Sequence, residues 1–512
     1  MKLSTCFSLL LAATLTSTAF SQIQYPNPVT HVVVIDQENR TVDNLFGSNS
    51  PSNQYYLPGL NFSTTGMAYT TVNGKKNVFT VQAVPIPLAS KLGKGDSVDA
   101  DDYDPGHGHE PAWVNACDAP LKTDPSTDCA MDGFNYVAVS CDKGATGCPG
   151  PTYPTYAYVQ YQDVAPYFQI AAQYGYANYM FQTNQGPSFP SHQFTFGGTS
   201  QPGVGSEPTW FVSENLGKGN GNGCIASSGS LIAQVNPTNQ KETTKIFPCF
   251  THNTMADLFA AQSPPITWTY YTPGQGSLWS APDAISTLCP MNPGGKCVGP
   301  YWTKGAANGF IDINPADALK DINGCKLQQV SWVIPTGLES DHAGLTDGTG
   351  PSWVASLVNA VGGYNNNGSV ANQCGYWNNT VILITWDDWG GWYEHVVPPA
   401  LSPLAPPVAS SYVYGFRVPL LVVSAYTPPG TVSNTMGLDF GATLKFIEEV
   451  FGDIGTISDD PSNPYADYYA NDDLGEFFQF NQPPHSFQLI NAPLKQEFFL
   501  NPNRPIEPPD ND

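Results

Sequence analysis

The sequence predicts an α/β fold, with a mostly parallel central sheet covered by helices on both faces. Short runs of branched apolar residues, bounded by turn residues, recur along the chain, and amphipathic helical patterns lie between them. The 48 glycines and 47 prolines among 512 residues add an expectation of many long, shaped loops on a compact core.

The first strand is expected at His31–Asp36 (HVVVID), and a weaker one at Tyr176–Phe181. Ile266–Tyr271 (ITWTYY), Gln329–Pro335 (QVSWVIP), Val381–Trp386 (VILITW) and Val418–Ala425 (VPLLVVSA) follow, and all read as buried parallel strands. Helical patterns cover Val164–Tyr174, Met255–Gln262, Ser352–Val361 and Phe440–Phe451. The last is the clearest: Asp439 can cap it, Leu444, Ile447 and Phe451 share a face, and Gly452 can end it. Ser90–Gly150 and Gly203–Gly223 read as elaborated loops and not as separate domains, and no internal repeat is found.

The N-terminus reads as an export signal over residues 1–21. Lys2 is its positive end, Leu9 to Ala13 its apolar stretch, and Ala19-Phe20-Ser21 a small-residue cleavage site before Gln22. No segment reaches the roughly 18 apolar residues that a spanning helix needs. Residues 22–500 are expected to form one catalytic domain, and the Pro- and Asp-rich tail, residues 501–512, to be disordered. The expected location is therefore secreted or periplasmic.

Cysteine usage agrees. Of 11 cysteines, Cys6 lies in the signal, and the rest fall in sequence-near pairs: Cys117/Cys129, Cys141/Cys148, Cys224/Cys249, Cys289/Cys297 and Cys325/Cys374. Disulfides formed in an oxidising compartment are the natural reading, and the absence of CxxC spacing argues against a thiolate zinc site. With 19 basic against 43 acidic residues the net charge is −24, and the pI is near 4.4. That balance excludes sequence-independent binding to nucleic acid or to anionic lipid, which needs a basic face.

Polar residues cluster where strands end. HVVVID runs into Gln37-Glu38-Asn39-Arg40, and VILITW runs into Asp387-Asp388. Ligands of open α/β sheets collect beyond the carboxyl ends of strands, so Glu38, Asn39, Asp387 and Asp388 would surround one point if the two strands are neighbours. Carboxylate and amide oxygens without cysteine suit one hard divalent cation such as calcium, magnesium or manganese. Either pair alone is as readily a loop or helix-capping pair. Gly186-Pro187-Ser188-Phe189-Pro190-Ser191-His192 offers a serine in a tight turn, and Pro190 stands where a nucleophile elbow needs glycine. Such a serine could instead be activated by the cation. Asp104-Pro105-Gly106-His107-Gly108-His109, Asp341-His342 and Glu394-His395 place histidines in turn-rich settings, with His342 again following a strand.

These segments carry a family resemblance. HVVVIDQENRTVDNLFG, DPGHG, MDGF, GPSFPSH, ESDHAG, ITWDDWGGWYEHVVPP and YGFRVPLLVVS resemble, in that order, the bacterial phosphoesterase family of non-zinc phospholipases C and acid phosphatases. The likeness runs from about Val29 to Phe480. It implies a core similar to alkaline phosphatase and a secreted hydrolase of phosphoric esters. By the resemblance, Ser188 is the nucleophile and a metal ligand, with Glu38, Asn39, Asp387 and Asp388 as the other ligands. Asn39 would also touch the phosphoryl group, His107 and His342 would hold phosphate or protonate the leaving group, and His395 matches a recurring motif histidine. The metal stays open among calcium, magnesium, manganese and zinc.

Two departures stand out: Asp388 where the family often has Glu, which shortens one ligand arm, and Ser191 where it often has Asn. Phospholipases of the family often carry further C-terminal domains, so a chain of this length leads us to expect the acid-phosphatase side. Phospholipase C is the alternative within the class. An exported phosphate or sugar-phosphate binding protein without turnover is the alternative outside it.

Overall fold

A computed structural model describes residues 27–89, 103–118, 129–141, 151–217, 222–237, 239–399 and 413–509. Eight strands form the main sheet: β1 (His31–Gln37), β2 (Gly175–Ala177), β3 (Trp268–Tyr271), β4 (Phe310–Asp312), β5 (Val330–Val333), β6 (Thr380–Trp386), β7 (Leu420–Ser424) and β8 (Thr431–Ser433). Their order across the sheet is β4-β3-β5-β1-β6-β7-β2-β8. All neighbouring pairs run parallel except those of β7, which is antiparallel to both β6 and β2. The sheet is thus mostly parallel as expected, and the expected parallel run at Val418–Ala425 is corrected. A buried apolar strand carries no mark of its direction, because both faces are covered either way.

Seven helices matter for the site: α1 (Val42–Phe46), α2 (Tyr161–Gln173), α3 (Ser188–Gly197), α4 (Met255–Ala260), α5 (Asp317–Asn323), α6 (Gly350–Val361) and α7 (Phe440–Val450). The sheet register shows how they divide. Val34 stands beside Trp332, and Gln37 beside Trp386. Val34 and Gln37 are three residues apart on one strand, so they point to opposite faces, and the two tryptophans do as well. On one face Trp332 meets Phe196 of α3 and Phe259 of α4, with ring centroids 5.0 and 6.2 Å apart. On the other face Trp386 meets Tyr167 of α2 at 5.0 Å. Each buried aromatic or branched side chain of this kind stabilises by about 1.5–3 kcal/mol, and one continuous apolar cluster runs through the sheet and both helix layers.

Helix α3 lies where the sequence suggests only a turn. Pro187 precedes its first residue and Pro190 falls in its first turn. Prolines are tolerated there because the first N–H groups of a helix have no intrahelical acceptor. Its far end is closed by Gly198 in the left-handed conformation. Helix α7 is capped by Asp439, whose side chain accepts from the Ala442 backbone N–H, as its sequence predicts.

Four disulfides are present, Cys117–Cys129, Cys224–Cys249, Cys289–Cys297 and Cys325–Cys374. Cys148 of the expected Cys141–Cys148 pair and the export signal lie outside the described residues. The tail expected to be disordered lies, as far as Pro509, along the body of the protein. Arg504 pairs there with Glu339 and, at 2.8 Å, with Asp347, and the Gly337 N–H donates to Glu507 O. Among the described residues no helix is long and apolar enough to cross a membrane.

Candidate active site

The site is built by the register of two neighbouring strands. Gln37 ends β1 directly beside Trp386, which ends β6. The next residues, Glu38-Asn39 and Asp387-Asp388, therefore emerge side by side at the carboxyl edge of the sheet. The Asp387 N–H still donates to Gln37 O at 2.9 Å, and the Asn39 N–H donates to Asp387 Oδ1 at 2.9 Å. Asn39 has φ 58°, a left-handed turn that swings its side chain back across the strand ends.

Helix α3 delivers the hydroxyl. Ser188 is its first residue and is fully buried, not an exposed turn serine. Its Oγ lies 3.2 Å from Asp388 Oδ2, 3.3 Å from Asn39 Oδ1 and 3.4 Å from Glu38 Oε2. One hydroxyl proton can go to only one of these oxygens, so four oxygen atoms converge with too few donors. Burial, then the negative charge of Asp387, pushes the carboxyl groups of Glu38 and Asp388 well above the usual carboxylate range. Burial likewise raises Asp36, partly offset by His192. Four carboxylates buried this closely need a cation or protons among them.

Asn39 can present its amide in two ways. With Oδ1 toward Ser188, its Nδ2 stands 2.9 Å from His107 Nε2. Turned over, Nδ2 donates to Glu38 Oε2 and Asp387 Oδ1, both at 3.1 Å, and Oδ1 accepts from His107 Nε2 at 2.9 Å and His342 Nε2 at 3.0 Å. The first adds an acceptor where acceptors already crowd, which suits a cation among the oxygens. The second satisfies the carboxylates without one. Among the described residues, the fully buried Asp387 Oδ2 meets no hydrogen-bond donor in either case. Glu38, His192 and Asp387 could hold a metal ion: one ligand atom from each lies within 4.8 Å of the others. The residues present thus fit the expected divalent cation.

The two histidines are anchored from behind. His107 Nδ1 donates to Pro105 O at 2.9 Å and His342 Nδ1 to Ala343 O at 2.5 Å, which aims both Nε2 atoms at Asn39. Trp389 Nε1 donates to His107 O, fixing that loop against the second motif block. Asp341 is structural: its Oδ2 accepts from Tyr167 Oη and Trp386 Nε1, and burial pushes its carboxyl up to about 6 against the pull of Arg40. The Gly390-Gly391 pair is required by close approach. A Cβ on Gly390 would fall 2.2 Å from Asn39 O, and one on Gly391 2.5 Å from Pro105 Cβ, and both glycines have positive φ.

The structure thus brings together Glu38, Asn39, His107, Ser188, His342, Asp387 and Asp388. His395 stands in a separate cluster. Its Nδ1 is 2.7 Å from Asp43 Oδ2, its Nε2 is 3.1 Å from Asn61 Oδ1, and Arg417 bridges Asp43 to Glu394. Sequence reading missed His192, which sits one helical turn after Ser188 and 2.9 Å from Glu38 Oε1. The i, i+4 spacing would have signalled it had α3 been recognised. A further group, His109, Glu214 and Glu242, lies beside the His107 loop, with His109 Nδ1 3.2 Å from Glu242 Oε1.

Fold and site together define an α/β protein with a buried acidic cluster that could hold a metal ion, beside a helix-borne hydroxyl at the carboxyl edge of its sheet. The chain belongs to the Phosphoesterase family, whose model matches residues 29–453. It is similar to phospholipase C A of Mycobacterium tuberculosis, 28% identical over 198 residues, 35% of each chain. It is also similar to the non-hemolytic phospholipase C of Burkholderia pseudomallei, 28% identical over 189 residues, 33% of this chain and 25% of that one. The matched stretch therefore spans between 25% and 35% of the length of these relatives. Among solved structures, a protein in the alkaline phosphatase superfamily from Vibrio parahaemolyticus aligns with TM-score 0.30 and 12% identity, over 58% of this chain and 64% of that one.

Proposed function

We propose that the chain is an exported, metal-dependent phosphoester hydrolase with Ser188 as nucleophile. The observation that carries this reading is the fully buried Ser188 Oγ, 3.2–3.4 Å from Asp388, Asn39 and Glu38. A divalent cation held by Glu38, Asn39, Asp387 and Asp388 would lower the proton affinity of the Ser188 hydroxyl and neutralise phosphoryl charge. Ser188 Oγ passes its proton to the carboxylate beside it, Asp388 Oδ2 at 3.2 Å, and attacks phosphorus. The bond to the leaving oxygen breaks, leaving a phosphoserine. Asn39, His107 and His342 hold the phosphoryl oxygens, and His342 or His107 hands a proton to the departing alcohol. A water molecule then attacks the phosphoserine, releases phosphate and restores the Ser188 hydroxyl. Removing one such charge-stabilising donor typically costs about 10²–10³ in rate. Export is supported by the disulfides, which persist in oxidising compartments.

Monoesters of the acid-phosphatase kind are our first substrate class. Phosphodiesters are the second, favoured by the likeness to two named phospholipases C. Parallel assays with p-nitrophenyl phosphate and p-nitrophenyl phosphorylcholine, with and without added divalent cation, separate them. Cation-dependent release of nitrophenol from the monoester is expected. Turnover of the diester alone would select the second class, and of neither, at any cation, a binding protein.

A further inference from the structure

We propose that His192 Nε2 is a ligand of the cation and that Asp36 orients its ring. The proposal rests on the cation reading of the site and deepens it. Ser188 and His192 are four residues apart on α3, so one helix face presents the hydroxyl and the imidazole to the same cluster. His192 Nε2 lies 2.9 Å from Glu38 Oε1 and 3.9 Å from Asp387 Oδ2, and all three side chains are fully buried. Two ligands each about 2.0–2.2 Å from one ion are separated by at most about 4.4 Å, so both spacings fit a shared ion. Asp387 Oδ2 supplies an independent observation: it is buried, points into the cluster and, among the described residues, meets no hydrogen-bond donor. Glu38 is divided, with Oε2 toward Ser188 and Oε1 toward His192.

The other ring nitrogen completes the case. His192 Nδ1 lies 3.4 Å from Asp36 Oδ2, near enough for an ion pair but short of hydrogen-bond geometry, and neither atom has a hydrogen-bond partner among the described residues; Asp36 sits on β1 two residues before Glu38. A metal-ligating histidine almost always gives its second N–H to a carboxylate or carbonyl, which fixes the tautomer and leaves the first nitrogen's lone pair for the ion. Were His192 only a donor to Glu38 Oε1, Asp387 Oδ2 would keep no partner. An imidazole nitrogen in the donor set also bears on metal identity. It shifts preference from calcium and magnesium toward borderline ions such as zinc or cobalt, with manganese accepted.

The test uses the full-length protein loaded with Mn²⁺ in the absence of any ester. Pulsed electron paramagnetic resonance should show ¹⁴N coupling from a directly bound imidazole. His192→Gln should abolish that coupling and raise the Mn²⁺ Kd more than about tenfold, whereas Asp36→Asn should keep the coupling and raise Kd about 10–100-fold. Should His192→Gln not fold, His107→Ala and His342→Ala must each retain the coupling. Bound Mn²⁺ without nitrogen coupling, coupling that persists in His192→Gln, or no divalent binding at all would overturn the proposal. Because no substrate is present, a failure to hydrolyse esters would refute the functional reading while leaving this result standing.

Discussion

Substituting Gly390 by alanine separates backbone strain from displacement of the site. Gly390 has φ +59°, and a left-handed non-glycine residue costs about 1–2 kcal/mol. Its Cβ would also fall 2.2 Å from Asn39 O and 2.8 Å from Asn39 Cβ, closer than real contacts allow, so the turn carrying Asn39 must move. Forcing a group into a packed interior adds about 1–3 kcal/mol, for a combined loss of about 2–5 kcal/mol. Gly74, at the tip of the Thr65–Val72/Lys75–Gln82 hairpin, is the control. Its φ is +73° but a Cβ there meets nothing within 4 Å. Gly74→Ala should therefore lose only the backbone part, about 1–2 kcal/mol, and keep full metal binding. Urea unfolding supplies the stability difference, and calorimetric titration with Mn²⁺ supplies the affinity. Gly390→Ala with wild-type metal affinity, or no less stable than Gly74→Ala, would refute the claim that Gly390 exists to let Asn39 into the site.

Asp387→Asn should weaken the Mn²⁺ Kd by at least about tenfold, with excess cation partly restoring turnover; unaltered affinity would remove Asp387 from the donor set. Stability should fall as pH rises. Burial and then Asp473 push the Glu449 carboxyl up to about 8, and burial and then Asp467 raise Glu448 well above the usual range. A carboxyl whose folded pKa is raised stabilises fully below its unfolded value near 4.5, and that contribution is lost as pH climbs through the folded value. The Tm at about pH 5 should exceed that at about pH 8.5, and Glu449→Gln should flatten the difference. A Tm that rises with pH would contradict this.

How much of this was legible in the sequence depended on what each segment displays. The long central strands β1 and β6 are branched apolar runs that could be little else, and the acids following them marked the sheet edge. Strands β4 and β8 are three residues each, too short to show any period. The direction of β7 had a cue that apolar content lacks. No helical pattern lies between Trp386 and Val418, although a parallel return needs a crossover, usually helical. Helix α3 was obscured by Pro187 and Pro190, and with it went both the burial of Ser188 and the position of His192. His395 lies apart from the Ser188 cluster, which its motif alone did not show. A motif histidine beside a carboxylate looks chemical in sequence, yet its ring nitrogens are taken up by Asp43 and Asn61. The pairing of buried charges across distant segments has no local signature.

The most direct test of the central claim is covalent. Wild-type protein, quenched in acid within its first turnover of phosphoryl-labelled p-nitrophenyl phosphate or the labelled diester, should carry label on one peptide, mapped to Ser188. Ser188→Ala should carry none and lose about 10³-fold or more in rate. Label on another residue, or no label together with a Ser188→Ala variant that keeps about a tenth of wild-type activity, would contradict the account, since water would then attack phosphorus directly.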